Sequence, residues 1–113
     1  MQDFLIIQKI KDMIVYGNLC LNQYPKHEKH VLAAEIRKSM YSLLKLTITA
    51  NKRYYKKTTI QELDVELDTL RTFLQVSADP SLKYLSMKKY ENWSKMLNEI
   101  GRMIGGWIKS INK

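Results

Sequence analysis

Apolar residues in this chain recur at alternating steps of three and four positions, in four separate segments. Such steps place apolar side chains along one face of an α-helix. Where they alternate into a seven-residue repeat, they are typical of nearly parallel helices that pack side by side. The four stripes comprise Ile6, Ile10, Met13, Gly17, Cys20 and Tyr24; Leu32, Ile36, Met40, Leu43, Thr47, Ala50 and Tyr54; Ile60, Leu63, Leu67, Leu70 and Leu74; and Tyr90, Trp93, Leu97, Ile100, Ile104, Trp107 and Ile111.

Glycine and proline are too sparse for a fold made of many short strands. The chain has 4 Gly and 2 Pro in 113 residues, whereas a β-sandwich or barrel needs a turn about every 8–12 residues. At about 100–200 residues per domain, this length corresponds to one domain. We therefore predict an all-α fold, an antiparallel up-down four-helix bundle that occupies residues 1–113 as a single domain.

Local signals predict where the helices begin and end. Pro25 closes the first segment, because the residue before a proline is disfavoured in a helix, and Pro80 interrupts the third. Thr59 and Glu62 have the spacing of a capping box at a helix start, and Ser86 is suited to cap the last helix. These signals predict helices near 3–23, 27–55, 60–78 and 87–111.

Positive charge is concentrated in the second segment. The formal net charge is +8, and residues 26–57 alone hold nine Lys and Arg against two Glu. At about 100° per residue, four lysines of this segment would share one helix face within roughly 40°. These lysines are Lys38, Lys45, Lys52 and Lys56, and Tyr41 borders them.

Two interpretations of this basic surface stay open on the residues alone. Repeated cations suit the phosphates of a nucleic acid, because binding releases counterions, and the tyrosines of the run 51–57 can stack on unpaired bases. Alternatively, the lysines form a solvated face that pairs in part with the acidic third helix. On the first interpretation the nucleic-acid-binding residues are Arg37, Lys38, Lys45, Lys52, Arg53, Tyr55, Lys56 and Lys57.

Three glycines lie within the apolar pattern of the last segment. Inside a helix, Gly101, Gly105 and Gly106 would each cost about 1 kcal/mol relative to alanine, so we expect a compensating close approach of another helix, from this chain or from another subunit. Trp107 continues the pattern without a change of phase. This continuity favours close packing at these four residues over a helix that ends at the glycines.

The sequence lacks the residue patterns of common enzymes and metal sites. It contains no phosphate-binding loop, dinucleotide fingerprint, nucleophile elbow or Cys-x-x-Cys pair. His27 and His30 lack the further ligands that zinc requires. Cys20 lies on an apolar stripe and is predicted to be a core residue. We therefore predict a protein with no catalytic residues, no metal and no cofactor.

No stretch of the sequence is suited to cross a membrane or to direct export. The longest apolar run, residues 4–7, is far shorter than the ~20 residues of a membrane span. The first residues lack the charged, apolar and small-residue regions of a signal peptide. We therefore expect a cytoplasmic protein with no membrane partner.

Four stretches of this sequence carry a resemblance to a known family. They are Tyr24-Pro25-Lys26-x-Glu28, Ala34-Glu35-Ile36-Arg37, the run from Ala50 to Thr59, and the run from Glu99 to Ser110. Together they resemble the accessory variability determinant (Avd) proteins of diversity-generating retroelements. More distantly, the chain is similar to four-helix proteins encoded within ribosomal RNA intervening sequences, but it lacks their longer insertion between the second and third helices.

The resemblance implies a function that composition does not reveal. Avd proteins are bacterial or phage-encoded four-helix bundles that assemble into a homopentameric, barrel-like ring with a positively charged surface. They associate with the retroelement reverse transcriptase and with its template-repeat RNA, and by extension its cDNA. They support the mutagenic cDNA synthesis that diversifies a target gene, without known catalytic activity. The alternative is a protein-interaction module with only incidental nucleic-acid binding.

Overall fold

The computed structural model describes the backbone of residues 2–112 and the side chains of residues 5–112. These residues form four long helices and, between the first two, a short 3-10 helix at Lys26–Glu28. The long helices are α1 Gln2–Leu21, α2 Leu32–Lys52, α3 Lys57–Ser77 and α4 Met87–Ile111.

Each helix packs against the next along the chain, and α4 closes the bundle by packing against α1. Contacts between α1 and α4 show that they run in opposite directions. The Lys9 ammonium lies 3.0 Å from the Glu99 carboxylate, whereas Lys89, at the start of α4, donates a hydrogen bond to Gln23, just beyond the end of α1. The bundle measures 45 × 23 × 20 Å. The predicted all-α four-helix bundle is confirmed.

The predicted apolar stripes form the core of the bundle. Ile10, Met40, Leu70 and Trp93 are fully buried, and burial of such side chains is the main favourable term in folding. Cys20 is buried as predicted, and burial raises the pKa of its thiol. Residues of the core, one helix after the other, are Ile6, Ile10, Met13, Ile14, Cys20 and Leu21; Ala33, Ile36, Met40, Leu43 and Ala50; Ile60, Leu63, Leu67, Leu70 and Leu74; and Trp93, Leu97, Ile100, Ile104 and Trp107.

The second helix is shorter than predicted at both ends. It begins at Leu32 instead of residue 27, because residues 26–28 form the separate 3-10 helix, and it ends at Lys52 instead of residue 55. Because α2 stops early, Tyr54 does not extend the core stripe: its side chain is 88% exposed. The assignment of Tyr54 to the apolar stripe was therefore wrong.

The predicted capping box at Thr59 was also wrong. The third helix begins at Lys57, and the side chain of its N-cap residue Lys56 makes no capping hydrogen bond at this helix start. Thr59 is buried inside the first turn, and its Oγ1 accepts a hydrogen bond from Arg53 Nη1 at 2.8 Å. By contrast, the predicted cap of α4 is confirmed, because Ser86 Oγ accepts from the backbone N–H of Lys89 at 3.3 Å.

The glycines of the bundle differ in how closely other helices approach them. The fourth helix continues without interruption through Gly105 and Gly106. A Cβ atom at Gly101 would lie 2.6 Å from Arg71 Nη2 and 3.3 Å from Leu67 Cδ2, both on α3, whereas one at Gly105 would meet no described atom within 4 Å. Side chains of α3 thus come close to Gly101, and the close-packing role of Gly101, Gly105, Gly106 and Trp107 stays a prediction.

Among Gly17, Gly101 and Gly105, space for a side chain is most restricted at Gly17 on α1, which the sequence shows only as a member of an apolar stripe. A Cβ atom there would lie 2.5 Å from Met40 Sδ on α2 and 2.6 Å from Trp93 Cζ2 on α4. Real Cβ atoms essentially never approach other atoms so closely. Glycine at this position therefore lets three helices meet.

Among the described residues, no helix combines the length and the apolar character that crossing a bilayer would require.

Candidate nucleic-acid interface

A row of exposed lysines follows the outer face of α2. Lys38, Lys45 and Lys52 are all exposed. They follow one another at intervals of seven residues, so their Cα atoms are about 10.5 Å apart along the helix axis. We call these three residues the basic stripe. Tyr41 lies on the same face and is 49% exposed. Among the side chains of residues 5–112, none of the three lysines forms an ion pair with a carboxylate.

Acidic residues of α3 lie beside the basic stripe without neutralising it. Lys45 lines a surface groove of about 610 Å³ between α2 and α3, together with Glu62 and Glu66. Glu66 instead accepts a hydrogen bond from Ser39 Oγ at 2.7 Å. The acidic residues of α3 therefore lie close to the basic helix α2 but form no ion pair with its exposed lysines among the described side chains. The lysine ammonium groups stay available to an external anion.

Arg37 is separate from the basic stripe. Its Nε donates a hydrogen bond to Asn18 Oδ1 on α1 at 2.9 Å, and its side chain is half-buried. The guanidinium therefore joins α1 to α2 as well as adding positive charge near the surface. Arg37 thus lies on the α1 side of α2, and its role in binding nucleic acid stays a prediction.

Lys56 was predicted to extend the row of lysines, and this geometry was wrong. Since α2 ends at Lys52, the chain turns before Lys56 and its side chain folds back over the helix end. Its Nζ donates hydrogen bonds to the carbonyl oxygens of Ala50 at 2.8 Å, Asn51 at 3.2 Å and Arg53 at 2.7 Å. The last carbonyls of a helix lack partners within the helix, and a cation there also complements the helix dipole. Lys56 is therefore a capping residue of α2.

Replacing Lys56 with Ala is expected to lower the free energy of unfolding by about 1–3 kcal/mol, because hydrogen bonds from a charged donor are lost. Lys57→Ala is the matched control: Lys57 is exposed and no hydrogen bond of its side chain is seen among the described residues, so we expect a change of less than about 0.5 kcal/mol. Urea unfolding followed by circular dichroism measures both. Equal effects for the two variants would contradict the capping role.

The turn between α2 and α3 carries two adjacent exposed tyrosines. Tyr54 and Tyr55 are 88% and 85% exposed, and their ring centroids lie 4.8 Å apart at an interplanar angle of 83°. Arg53 and Lys57 flank them and are exposed as well. We call Arg53, Tyr54, Tyr55 and Lys57 the aromatic tip. Tyr54 was not among the predicted binding residues, because the seven-residue repeat alone placed it in the core.

His27, one of the two candidate metal-ligating histidines, packs against Tyr84. His27 Nε2 lies 3.4 Å from the Tyr84 hydroxyl, and the two rings are in edge contact. Within the part of the chain that the structure describes, no group of three or more His, Cys, Asp or Glu side chains is arranged to hold a metal ion. The features that the described surface offers are cations and aromatic rings, which bind anions and planar bases.

Comparison with known proteins agrees with this basic four-helix architecture. A family model described as bAvd-like matches residues 4–111, and no match was found among curated proteins. The matched region contains all four helices, the basic stripe and the aromatic tip. Members of this family are generally non-catalytic accessory proteins of bacterial diversity-generating retroelements. With nearly its whole length matched, the chain belongs to the bAvd-like family.

Proposed function

We propose that this accessory protein binds the retroelement reverse transcriptase and its template-repeat RNA through basic surfaces, in the bacterial cytoplasm, and so supports mutagenic cDNA synthesis for target-gene diversification. The observation that carries the proposal is the basic stripe, in which Lys38, Lys45 and Lys52 are exposed and free of ion pairs among the described side chains. In this scheme the polymerase performs the chemistry, and the bundle holds RNA and polymerase together.

Physical reasoning supports RNA as the partner of the basic stripe. Cations repeated along a straight helix can each neutralise a phosphate, and the released counterions then drive binding. Phosphate contacts of this kind position a nucleic acid without reading its sequence. No acidic residue lies between Glu35 and Glu62 in the sequence, so from its second turn onward α2 itself carries only positive charges.

Binding of the purified protein to template-repeat RNA over a series of salt concentrations tests the proposal. We expect the logarithm of the association constant to fall linearly with the logarithm of the salt concentration, with a slope of about −0.7 to −0.9 for each phosphate contact. Co-purification with the reverse transcriptase tests the second partner. Binding to RNA no tighter than the non-specific range of about 10⁻⁴–10⁻⁶ M at physiological salt would contradict the proposed role of RNA.

We also propose that the protein assembles as a homopentameric ring. Two features of the chain support subunit contacts. Gly105 has no described atom within 4 Å of the position of its missing Cβ, which leaves room there for a neighbouring helix. Val15 and Leu19 expose 64% and 61% of their surface on the outer face of α1, and a neighbouring subunit could bury this apolar surface.

Light scattering should give a mass of five chains, and a monomer mass would overturn the ring.

The second candidate function is a protein-interaction module that meets an acidic partner. It is favoured by the groove between α2 and α3, where Lys45 already lies beside Glu62 and Glu66, so that these lysines suit carboxylates as well as phosphates. RNA binding separates the two functions, because this module would bind the reverse transcriptase and bind RNA only weakly.

A further inference from the structure

We propose that the aromatic tip is a stacking platform for unpaired bases, so that the protein prefers single-stranded nucleic acid to duplex. This inference rests on the proposed function, because it assigns a substrate class to the same basic side of the bundle. The basic stripe then contacts phosphates, and Tyr54 and Tyr55 contact bases at the end of the row.

The exposure of the two rings is the first step of the argument. Tyr54 and Tyr55 are the most exposed of the large hydrophobic residues that the structure describes. Their rings are nearly perpendicular, with centroids 4.8 Å apart, so the pair leaves most of both ring surfaces open to the solvent. Neither ring contributes to the core of the chain, so both are available to stack on a ligand.

The backbone beneath the rings is held in place on both sides. Lys56 Nζ bonds the carbonyl oxygens of Ala50, Asn51 and Arg53, and the Arg53 side chain bonds Thr59 Oγ1. The Arg53 backbone N–H also bonds the carbonyl oxygen of Thr49 at 3.1 Å. A turn that is ordered before binding loses less conformational entropy when a ligand docks. The rings are therefore presented on a preformed turn.

The charge around the rings selects a polyanion. Lys52, Arg53 and Lys57 are exposed beside the two tyrosines, and residues 36–61 contain no Asp or Glu. Stacking on aromatic side chains does not depend on base identity, because every base has a π-face. In a duplex these faces are covered by neighbouring bases, whereas in a single strand they are free. The combination of rings and cations thus fits a single strand.

Fluorescence anisotropy with three labelled probes tests this inference. The probes are an unstructured RNA oligonucleotide, an abasic strand of the same length, and a duplex RNA. For Tyr54→Ala/Tyr55→Ala we expect affinity for the unstructured RNA to fall about tenfold to a hundredfold, with less than about a twofold change for the abasic strand and the duplex. Tyr54→Phe/Tyr55→Phe keeps the rings and should bind all three probes like the parent protein.

Each other outcome identifies which proposal fails. Parent protein that binds no probe overturns the proposed RNA binding itself. Parent protein that binds RNA, with alanine variants that lose nothing, overturns only the stacking platform. Equal losses for all three probes would make the tip a phosphate contact and overturn the platform as well. The midpoint of thermal unfolding and the mass from light scattering should be unchanged in both double variants. If the alanine double variant no longer assembles, the tip is a subunit interface and the stacking platform is overturned.

Discussion

Charge reversal of the basic stripe, by Lys38→Glu, Lys45→Glu and Lys52→Glu together, is expected to weaken RNA binding at least about a hundredfold at ~0.1 M salt. Each lost phosphate contact removes roughly 0.7–0.9 from the magnitude of the salt slope, so three contacts lower it by about 2 or more. The reason is geometric: the three ammonium groups lie in one exposed row. Anisotropy titrations across salt concentrations measure both quantities.

The matched control places the same charge change elsewhere. Lys11, Lys88 and Lys95 are exposed on α1 and α4, and their combined reversal alters the net charge by the same amount. Long-range effects of net charge act on both triple variants alike, whereas direct phosphate contacts act only on the first. An equal loss in the two variants would show that net charge, and not the basic stripe, determines the affinity. Lys56 is left unchanged, because its replacement would disturb the end of α2.

Gly17→Ala is expected to lower the free energy of unfolding by about 1–2 kcal/mol. Inserting a methyl group into a packed core costs about 1–3 kcal/mol, and two atoms within 2.6 Å of the new Cβ place Gly17 in the upper part of that range, at about 2–3 kcal/mol. The higher helix propensity of alanine offsets about 1 kcal/mol of this cost. Met40 Sδ can shift at modest cost, but the buried ring of Trp93 cannot move without displacing its neighbours. The midpoint of thermal unfolding should fall by about 4–8 °C for each kcal/mol.

The same substitution at Gly101 is the control for the Gly17 prediction. There the closest atom to a new Cβ is the end of the flexible Arg71 side chain, which pairs with Asp68 on the surface. That end can move aside, and Leu67 Cδ2 at 3.3 Å has to give by only a few tenths of an ångström. The higher helix propensity of alanine is then the larger effect, so we expect Gly101→Ala to leave the free energy of unfolding unchanged or to raise it by up to about 1 kcal/mol. Gly17→Ala as stable as the parent protein would show that the three helices do not meet as tightly as the structure indicates.

Helix number, helix type and most core residues were predictable because they depend on local spacing. Steps of three and four define a helix face whatever the helix packs against, so Leu67, Leu97 and Ile104 were assigned to the core from their positions alone. The cap at Ser86 was predictable for the same reason, since its partner lies three residues away. The family resemblance likewise rested on short runs of residues, and the family match confirms it.

The candidate site was predictable only where the helix remained regular. The basic stripe follows from seven-residue spacing, but the spacing does not show that α2 stops at Lys52. This one boundary turns Lys56 into a cap of α2 and moves Tyr54 from the core to the surface. Where a helix ends depends on which groups donate hydrogen bonds to its last carbonyl oxygens. Lys56 can donate to those of α2 only because the chain turns after Lys52.

The sequence by itself determined the four helices, their buried faces and the excess of positive charge on one of them, because each of these is set by residues a few positions apart. Only the tertiary structure decided that Gly17 leaves no space for a Cβ atom, that Arg37 bonds α1, and that Arg53 bonds Thr59. These contacts join residues on separate helices or on either side of a turn. Their geometry exists only when the bundle has closed, and no local pattern encodes it.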